Sequence, residues 1–461
     1  MLKAVISNNI TIENISKQAY SFFKNKLTFK NPEFEKKQNM GFYVGNIPMN
    51  LCMYQEIGNK FVVPFGMLDI IKLNSKVFEI EYDNKDKEIY SKIDYKSQIK
   101  LYSYQEEAVS KALQYGHGVI VAPCGAGKTQ IGIELIARYG LRTLWLTHTE
   151  DLLNQSMKRA KANLEINKNE YGTITAGRVN IGTALTFATV QTMSKIDLSQ
   201  YKDYWDVVIV DECHHLVGTP SKVMMFYKVV SNLNALHKFG LTATPQRADG
   251  LVNCMFSMLG RKICEIPKTA VKNTTCPVKI KIVNTFFSPN EDEILDTDGT
   301  IIYTNLVNEI CRNEKRNNLI IDDIEKADGI CLVLTDRIEH VKILEQALKK
   351  RNISCKALSS MAHKSERSKI IGEFQKGQIK VLIATYQLAK EGLDIPNLKY
   401  LFLATPQKNE NTVIQSVGRV GRKADGKQFG IVYDYVDNFG MLKGWERIRK
   451  RIYKKNNFII E

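Results

Sequence analysis

The segment Ala122 to Thr129, with the sequence APCGAGKT, combines residue types that bind nucleotide phosphates. It follows the apolar run Val119–Val121 and precedes a helix-like stretch, the order of strand, glycine loop and helix that a phosphate cradle requires. Glycines let backbone N–H groups face the phosphates, Lys128 reaches the β- and γ-phosphates, and the Thr129 hydroxyl is placed to ligate Mg²⁺. Taken alone, the loop could be an incidental glycine turn, because Ala122 replaces the first glycine of the general pattern. The loop predicts binding of ATP with Mg²⁺ through Pro123, Cys124, Gly125, Ala126, Gly127, Lys128 and Thr129.

Two acidic residues, Asp211 and Glu212, directly follow the apolar run Val207–Val210. Ligand sites lie at the carboxyl edge of a parallel sheet, which is where this pair would stand. Asp211 is suited to holding Mg²⁺ through water, and Glu212 to orienting and deprotonating an attacking water. Paired acids after a strand are often only a solvated turn. The phosphate loop upstream favours the catalytic interpretation.

A third candidate stretch, QSVGRVGR, runs from Gln415 to Arg422 in a polar segment after the run Tyr400–Leu403. Arg419 and Arg422 are three residues apart, so they share one helix face and both can approach a γ-phosphate during transfer. Because they lie far from the phosphate loop in the chain, we expect ATP to bind in a cleft and pull two lobes together. Arginines of this kind also occur as surface ion-pair partners.

Short β-branched apolar runs recur in two regions, each run followed by a helix-like stretch. This rhythm indicates parallel strands joined by crossover helices. The sequence therefore predicts an α/β protein with two doubly wound parallel-sheet lobes. The predicted strands of the first lobe are Val119–Val121, Thr143–Leu146, Leu185–Ala188, Val207–Val210 and Phe239–Leu241, and those of the second are Ile330–Leu334, Ser354–Leu358, Val381–Ala384, Tyr400–Leu403 and Gly430–Tyr433.

The segments outside the two lobes are less regular. The first ninety-odd residues carry several lysines and lack the α/β rhythm, which indicates a small accessory domain of unknown fold that binds DNA. The basic stretch KGWERIRKRIYKK near the C-terminus suits a solvated helix face as well as a nucleic-acid contact. We expect a helix over Thr304–Glu325 between the lobes. The predicted boundaries are 1–95 for the accessory domain, 96–265 for the first lobe, 266–328 for a connector, 329–437 for the second lobe and 438–461 for a basic tail.

Composition limits the classes of function. The 461 residues contain 65 Lys and Arg against 49 Asp and Glu, a formal charge of +16 that favours a polyanionic partner. No apolar run approaches the roughly 18 residues of a membrane-spanning helix, and the N-terminus lacks the apolar stretch of a signal peptide. We therefore expect a soluble protein of the cytoplasm that does not bind membranes.

The nine cysteines show no C-x-x-C pair and no regular spacing. Neither a disulfide framework nor a zinc module is predicted. Cys213, His214 and His215 are consecutive and contain metal-binding residue types, but neighbours rarely point three side chains at one metal ion. The ordinary interpretation, without a metal, is favoured.

Together these stretches resemble the motif set of superfamily 2 helicases over residues 98–437. The phosphate loop, Asp211-Glu212-Cys213-His214, the stretch LTATP from Leu241 to Pro245, and QSVGRVGR occur in the order of that family. The resemblance implies two tandem RecA-like lobes, nucleic-acid-dependent ATP hydrolysis and Mg²⁺ as the metal ion. It also implies catalytic roles for Lys128, Asp211, Glu212, Gln415, Arg419 and Arg422.

The same resemblance implies further site residues. Gln105 is similar to the glutamine that reads adenine, with Tyr102 where relatives often carry an arginine, and Gly392 and Asp394 fall in a second-lobe motif that contacts the ribose. Positions expected to couple the ATP site to nucleic acid, or to contact a strand, are His214, Thr242, Thr244, Thr189, Gln191, Arg247, Thr335, Arg337 and Thr385. The alternative for each polar residue is a helix cap or a turn.

Arg247, Asp249 and Gly250, directly after LTATP, resemble the UvsW and XPB branch. That branch includes phage branch-migration helicases and a poxvirus transcript-release helicase. It implies a monomeric DNA helicase that remodels branched DNA by fork regression, branch migration or R-loop removal, on duplex, branched or single-stranded DNA. A transcript-release or RNA helicase is the alternative within the family.

Two other classes of protein are less consistent with these residues. A phosphate-loop NTPase that acts as a switch usually receives its arginine from a neighbouring subunit, whereas Arg419 and Arg422 belong to this chain. A nucleic-acid-binding scaffold without ATPase activity is disfavoured because Lys128, Asp211 and Glu212 are intact.

Overall fold

A computed structural model describes residues 2–84, 92–123, 125–243, 250–271, 275–358, 364–390, 393 and 395–461. Contacts divide the chain into two compact units, Met1–Pro267 and Lys268–Glu461. Among the described residues, no helix combines the length and the apolar character needed to cross a membrane.

The N-terminal region of the first unit contains a sheet of five short strands in the described residues, in the order β5-β6-β2-β1-β7. Alternate residues of β2 are buried, so one face of the sheet covers a core. Strands β1 and β7 are parallel and the other pairs are antiparallel. The elements are β1 (Leu2–Ile6), β2 (Asn9–Glu13), α1 (Lys17–Leu27), β3 (Thr28–Lys30), α2 (Pro32–Asn39), β4 (Asn50–Cys52), β5 (Gln55–Ile57), β6 (Lys60–Pro64), α3 (Leu68–Asn74) and β7 (Ile80–Asn84).

A sheet of eight strands forms the first lobe in the described residues, in the order β13-β12-β14-β10-β15-β16-β9-β17. All of its pairs are parallel except that of β12 with β13. The elements are β8 (Lys96–Ser97), α4 (Ser103–Tyr115), β9 (His117–Val121), α5 (Lys128–Tyr139), β10 (Thr143–Thr147), α6 (Glu150–Asn163), β11 (Leu164–Glu165), β12 (Tyr171–Thr175), β13 (Arg178–Asn180), β14 (Leu185–Thr189), α7 (Val190–Met193), β15 (Val207–Asp211), α8 (Pro220–Ser231), β16 (His237–Thr242), α9 (Val252–Leu259) and β17 (Lys262–Glu265).

The five predicted strands of this lobe are confirmed as parts of β9, β10, β14, β15 and β16. Strand β16 lies between β15 and β9, and the register places Asp211 opposite Leu241 and Thr242 opposite Val121. The carboxyl ends of the three strands therefore meet at one edge of the sheet. This edge carries the phosphate loop, Asp211 and Thr242.

The N-terminal sheet and the first lobe share one hydrophobic core. Ala4 and Phe23 belong to the same buried cluster as Val119 and Leu144. The ammonium group of buried Lys238 on β16 donates to the carbonyl oxygens of Asn8, at 3.1 Å, and Val230, at 3.3 Å. The N-terminal region is thus joined to the lobe by packing and by buried hydrogen bonds.

The second unit contains a parallel sheet of seven strands in its described residues, in the order β20-β21-β19-β22-β23-β18-β24. The five predicted strands are confirmed as β19 to β23, with β19 and β20 each beginning one residue later than predicted. The elements are β18 (Val278–Asn284), α10 (Glu291–Ile294), α11 (Tyr303–Arg312), α12 (Glu314–Glu325), β19 (Cys331–Thr335), α13 (Ile338–Lys350), β20 (Cys355–Leu358), α14 (Lys364–Gln375), β21 (Val381–Thr385), α15 (Tyr386–Lys390), β22 (Tyr400–Leu403), α16 (Glu410–Val420), β23 (Gly430–Val436), α17 (Gly440–Lys455) and β24 (Ile459–Ile460).

Three expectations about the irregular segments need correction. The segment 266–328, expected to be a connector, supplies β18 to the interior of the second sheet and α11 and α12 to the second unit. The helix expected over Thr304–Glu325 is interrupted at Asn313, because the Asn313 side chain accepts the backbone N–H of Arg316 and starts α12. The segment 438–461, expected to be a tail, supplies α17 and the edge strand β24.

Candidate nucleotide-binding site

The phosphate loop connects β9 to α5 through two glycines with positive φ, Gly125 at +87° and Gly127 at +76°. A Cβ atom on Gly127 would overlap Nε2 of Gln105, so a side chain here would displace Gln105 and would also be strained at this positive φ. Helix α5 begins at Lys128, which places its N-terminal N–H groups at the loop. Cys124 lies outside the described residues.

Gln105 on α4 is buried against the loop. Its Nε2 donates to the carbonyl oxygen of Ala126 at 2.8 Å and to Oε1 of Gln130 at 3.2 Å, and its Oε1 accepts the backbone N–H of Tyr102 at 2.9 Å. The Tyr102 ring stacks on Tyr104 with 5.6 Å between centroids and is 54% exposed. Gln105 thus lies at the loop as expected, and Tyr102 offers an open aromatic surface beside it.

Lys128 and Glu212 are in contact at the carboxyl edge of the sheet. Nζ of Lys128 lies 3.3 Å from Oε1 of Glu212, and both side chains are largely buried. Burial alone would raise the pKa of Glu212, but the charge of Lys128 and the neighbouring histidines outweigh it and lower the pKa to about 2. Oε2 of Glu212 accepts no hydrogen bond from any described residue. The low pKa favours the ionised form of Glu212, whose Oε2 lies 3.4 Å from Nδ1 of His214.

Two side chains of α6 contact the two residues expected to ligate Mg²⁺. Ser156 Oγ donates to Oδ2 of Asp211 at 3.1 Å, and a guanidinium nitrogen of Arg159 donates to Oγ1 of Thr129 at 3.1 Å. Ser156 and Arg159 are three residues apart, so they lie on one helix face. Neither residue was predicted from the sequence, because Ser156 meets Asp211 across 55 residues and Arg159 meets Thr129 across 30.

The side chains of Thr129 and Asp211 fit a magnesium ion. A hydroxyl and a carboxylate are the hard oxygen ligands that Mg²⁺ prefers. Burial, followed by the adjacent charge of Glu212, raises the pKa of Asp211 to about 6. A nearby divalent cation would favour the ionised form of this carboxyl group. Among the described residues, no group of three or more His, Cys, Asp or Glu side chains is arranged to hold a metal ion.

Thr242, at the end of β16, joins the acidic motif to the phosphate loop. Its Oγ1 lies 2.8 Å from Nδ1 of His214, which lies 3.4 Å from Oε2 of Glu212. Its carbonyl oxygen accepts the backbone N–H of Ala122 at 2.8 Å. A displacement of Thr242 would therefore move both motifs. Thr244 and Arg247 lie outside the described residues.

A row of histidines whose tilted rings are in contact extends from the acidic motif to the segment after β10. Ring centroids of His214 and His215 are 4.0 Å apart, and those of His215 and His148 are 4.4 Å apart. Gln191 donates to the carbonyl oxygen of His148 at 2.7 Å. Thr189 bonds to the hydroxyl of Thr192 at 3.0 Å. Gln191, expected to contact a strand, is thus one hydrogen bond from this row.

The second unit places Gln415 and Arg419 on α16, and Arg422 just beyond its end. Buried Arg419 donates to the carbonyl oxygens of Ala389 and Leu393. The backbone of Arg422 forms a β-bridge with Thr275, and its side chain is half-buried. Arg419 therefore fixes the positions of these two carbonyl groups in this structure.

Comparison with known proteins gives matches to two family models in succession. The model described as the res subunit of type III restriction enzymes matches residues 98–247, and the helicase conserved C-terminal domain matches residues 313–424. Together they cover more than half of the chain. This chain belongs to helicase superfamily 2, in its UvsW/XPB-like branch. It contains both core domains of a nucleic-acid-dependent ATPase of that superfamily.

Viral proteins are among the relatives of this superfamily 2 chain. Helicase 22 of Sulfolobus islandicus filamentous virus is 28% identical over 76% of the chain and 65% of its own length. A protein of Acanthamoeba polyphaga mimivirus, named an ATP-dependent RNA helicase, is 26% identical over 75% of the chain and 65% of its own length. The ATP-dependent DNA helicase uvsW of Enterobacteria phage T4 is 24% identical over 87% of the chain and 84% of its own length. The chain thus spans about two thirds of the length of the first two relatives.

A solved structure supports the fold. Dbp5 of S. cerevisiae bound to RNA and ADP BeF3 covers 78% of the chain with a TM-score of 0.56 and 16% identity. At this low identity, the similarity shows a shared fold only.

The other residues of the second lobe that were expected to contact nucleic acid make contacts within their own lobe. Thr335 is buried at the end of β19, with Oγ1 2.7 Å from Nδ1 of His340. Arg337 precedes α13, and Thr385 Oγ1 accepts the backbone N–H of Leu388 at 3.3 Å. Thr385 thus caps α15, and Thr335 contacts a buried histidine side chain; their predicted contact with a nucleic-acid strand stays a prediction. Gly392 and Asp394 lie outside the described residues.

Proposed function

We propose that this superfamily 2 helicase is an ATP-driven DNA translocase that remodels branched DNA, by fork regression, junction branch migration or R-loop removal. The observation that carries the ATP-hydrolysing part of the proposal is the contact of Lys128 with Glu212 at the sheet edge, 3.3 Å apart. It brings together a phosphate-binding cation and a carboxylate that can accept a proton from water.

Binding and hydrolysis divide between these two residues. Lys128 and the N-terminus of α5 hold the β- and γ-phosphates of ATP. When the ammonium group of Lys128 turns to a phosphate, Glu212 loses its first electrostatic partner and its pKa rises from about 2. Glu212 then orients the attacking water and accepts its proton, which gives inorganic phosphate and ADP.

The remaining site residues assist this step. Bound Mg²⁺, held by Thr129 and Asp211, would neutralise charge on the β- and γ-phosphates. Gln105 contacts the adenine base. Arg422, with Gln415 nearby on α16, neutralises charge that develops on the γ-phosphate.

Coupling to DNA follows the contacts of the first lobe. Gln191 is bonded to His148, whose ring lies in the row with His215 and His214, and His214 contacts Glu212. DNA bound near Gln191 would shift His148 and, through the row, the orientation of Glu212. Physical contiguity of this kind supports coupling, and variants of Gln191 would test it.

DNA is favoured over RNA by one comparison. The relative named a DNA helicase, from phage T4, matches over 84% of its own length, whereas the relative named an RNA helicase matches over 65%. RNA unwinding or transcript release is the second candidate, favoured by the latter relative. The formal charge of +16 suits either polyanion.

The test is a strand-exchange assay on labelled forks and four-way junctions, with ATP and Mg²⁺, next to an RNA duplex with a single-stranded tail. We expect regressed forks and migrated junctions, and none with Glu212→Gln as the matched control. Unwinding of the RNA duplex with forks and junctions left intact would replace this proposal with the second candidate.

A further inference from the structure

Helix α17 is fixed by its inner face. Leu442 and Trp445 pack in one buried cluster, and Ile452 and Tyr453 in another. Arg449 is buried on the same face and donates to Oδ2 of Asp434 at 2.8 Å, and Tyr453 donates to the same oxygen at 2.9 Å. These contacts fix the orientation of the helix on the second unit. They therefore determine which of its residues face outward.

Four cations occupy the outer face. They are exposed and are separated by four, four and three residues, so at about 100° per residue they fall within an arc of about 80° opposite the buried face. The four cations extend over about 16 Å along the helix axis, at about 1.5 Å of rise per residue. We call this set the basic stripe; it consists of Lys443, Arg447, Arg451 and Lys454.

The basic stripe differs from the other cations of α17 in its partners. Lys450 pairs with Glu446 at 2.5 Å, and Lys455 with Glu410 at 2.9 Å. Within the part of the chain that the structure describes, no carboxylate lies at ion-pair distance from a residue of the stripe. Like charges at i, i+4 spacing destabilise a helix. An external polyanion would relieve this repulsion.

The chemistry of the stripe favours the backbone of a duplex. Proteins that bind single strands without sequence preference present aromatic rings on which bases stack. The aromatic residues of α17, Trp445 and Tyr453, are buried, so the stripe offers charge without a stacking surface. Duplex DNA carries about one charge per 1.7 Å of axis, so a stripe of about 16 Å can face several phosphates.

We propose that the basic stripe binds the phosphate backbone of a duplex arm of the DNA substrate, as a contact additional to the strand on which the motor moves. The proposal rests on the proposed function, because a duplex arm is part of branched DNA. Backbone contacts carry no sequence information, so the stripe would hold an arm of any sequence.

The test compares two variants with equal loss of charge. The stripe variant combines Lys443→Gln, Arg447→Gln, Arg451→Gln and Lys454→Gln, because glutamine has a helix propensity close to that of lysine and arginine. The control variant combines four exposed lysines of the same unit, Lys315→Gln, Lys326→Gln, Lys342→Gln and Lys350→Gln. Fluorescence anisotropy without nucleotide gives the Kd for a duplex-armed fork and for a single strand at several salt concentrations.

For the fork, we expect the slope of log Kd against log salt to fall by about 3.6 in the stripe variant, since each of the four duplex phosphate contacts contributes about 0.9. The slope of the control variant should differ from the wild-type slope by no more than about 0.9, the contribution of one phosphate contact. The Kd for the single strand should change little in either variant. Equal slopes for the stripe and control variants, or an equal loss on single strand and fork, would overturn the assignment.

A separate ATPase measurement distinguishes this proposal from the proposed function. With saturating single-stranded DNA, the stripe variant should keep the wild-type kcat, because the stripe does not touch ATP. If wild-type protein showed no ATPase stimulation by any DNA, the proposed function would fail, while the salt slopes would still decide whether the stripe binds duplex.

Discussion

The two units hold their candidate catalytic cations in different ways. In the first unit, Lys128 contacts the carboxylate of Glu212 and would leave it to bind a phosphate of ATP. In the second unit, Arg419 is bonded to two backbone carbonyls, of Ala389 and Leu393, within its own fold. A side chain bonded to carbonyl oxygens supports the backbone, and one bonded to a titratable side chain can change partner. We therefore propose that Arg419 mainly supports the backbone in this structure and that Arg422 is the arginine that acts on ATP; the catalytic roles predicted for both residues stay predictions.

The division between the two arginines has the largest expected effect. We expect Arg422→Ala to lower kcat about 10³-fold, as loss of an arginine that neutralises the transferred phosphoryl group does, and to lower the melting temperature less than Arg419→Ala does. Arg419→Ala should also slow hydrolysis more than it weakens ATP binding, and it should lower the melting temperature, because two buried carbonyls lose their donor at about 1–3 kcal/mol each.

Steady-state ATPase rates and thermal unfolding of both variants, next to Arg419→Lys and Arg422→Lys, measure this difference. Arg419→Lys keeps the charge but cannot bond both carbonyls as arginine does. Equal melting temperatures for all four variants would contradict a structural role of Arg419.

Glu212→Gln should bind ATP and hydrolyse it about 10²-fold or more slowly, because the amide cannot accept the proton of the attacking water. Lys128→Ala should instead weaken ATP binding, since it removes a phosphate contact. Binding of a fluorescent ATP analogue and single-turnover hydrolysis separate the two effects. Wild-type turnover of Glu212→Gln at saturating ATP and DNA would rule out the assigned base.

Ser156→Ala tests the contact of α6 with Asp211. A hydrogen bond to a charged group contributes about 1.5–3 kcal/mol. We therefore expect ATP binding by Ser156→Ala to require a roughly tenfold higher Mg²⁺ concentration. Calorimetric titration of ATP at several Mg²⁺ concentrations measures the shift. Arg138→Ala is the control, because Arg138 pairs with Glu106 and Glu134 and touches neither metal ligand. An identical Mg²⁺ dependence in the two variants would remove Ser156 from the site.

The smallest effect on ATPase is expected at Lys238, which joins the N-terminal sheet to the first lobe. Lys238→Met keeps the length of the side chain but leaves the carbonyls of Asn8 and Val230 without this donor. We expect stability to fall by about 2 kcal/mol and amide exchange to rise in β1 and β2. Exchange that rises only in the second unit would contradict the shared core. Because that core continues into the lobe, removal of residues 1–90 would expose apolar surface of the lobe.

Local sequence patterns predicted the strands and the phosphate loop, because these features depend on residues that are neighbours in the sequence. The runs that became β9, β15 and β16 are β-branched and buried, and the phosphate loop carries its glycines in fixed order, so both were readable. Ser156 meets Asp211 across 55 residues and Arg159 meets Thr129 across 30, distances that no local pattern reveals.

The segments between and beside the lobes show the same limit. Strand β18 pairs in the second sheet with β23, about 150 residues away in sequence, so its segment read as a connector. The N-terminal strands are three to five residues long and give little periodic signal. The use of Arg419 could not be predicted either, because a motif records the residue type and not its bonding partners.

The most direct test of the account is the ATPase rate of the wild-type protein with single-stranded DNA, duplex DNA, a four-way junction, an R-loop and RNA, measured side by side with Glu212→Gln. We expect strong stimulation by DNA, with junctions and R-loops the most effective at low concentration, and no stimulated rate in the variant. A rate that responds to single-stranded RNA alone, or that is unchanged by every nucleic acid, would contradict a DNA translocase.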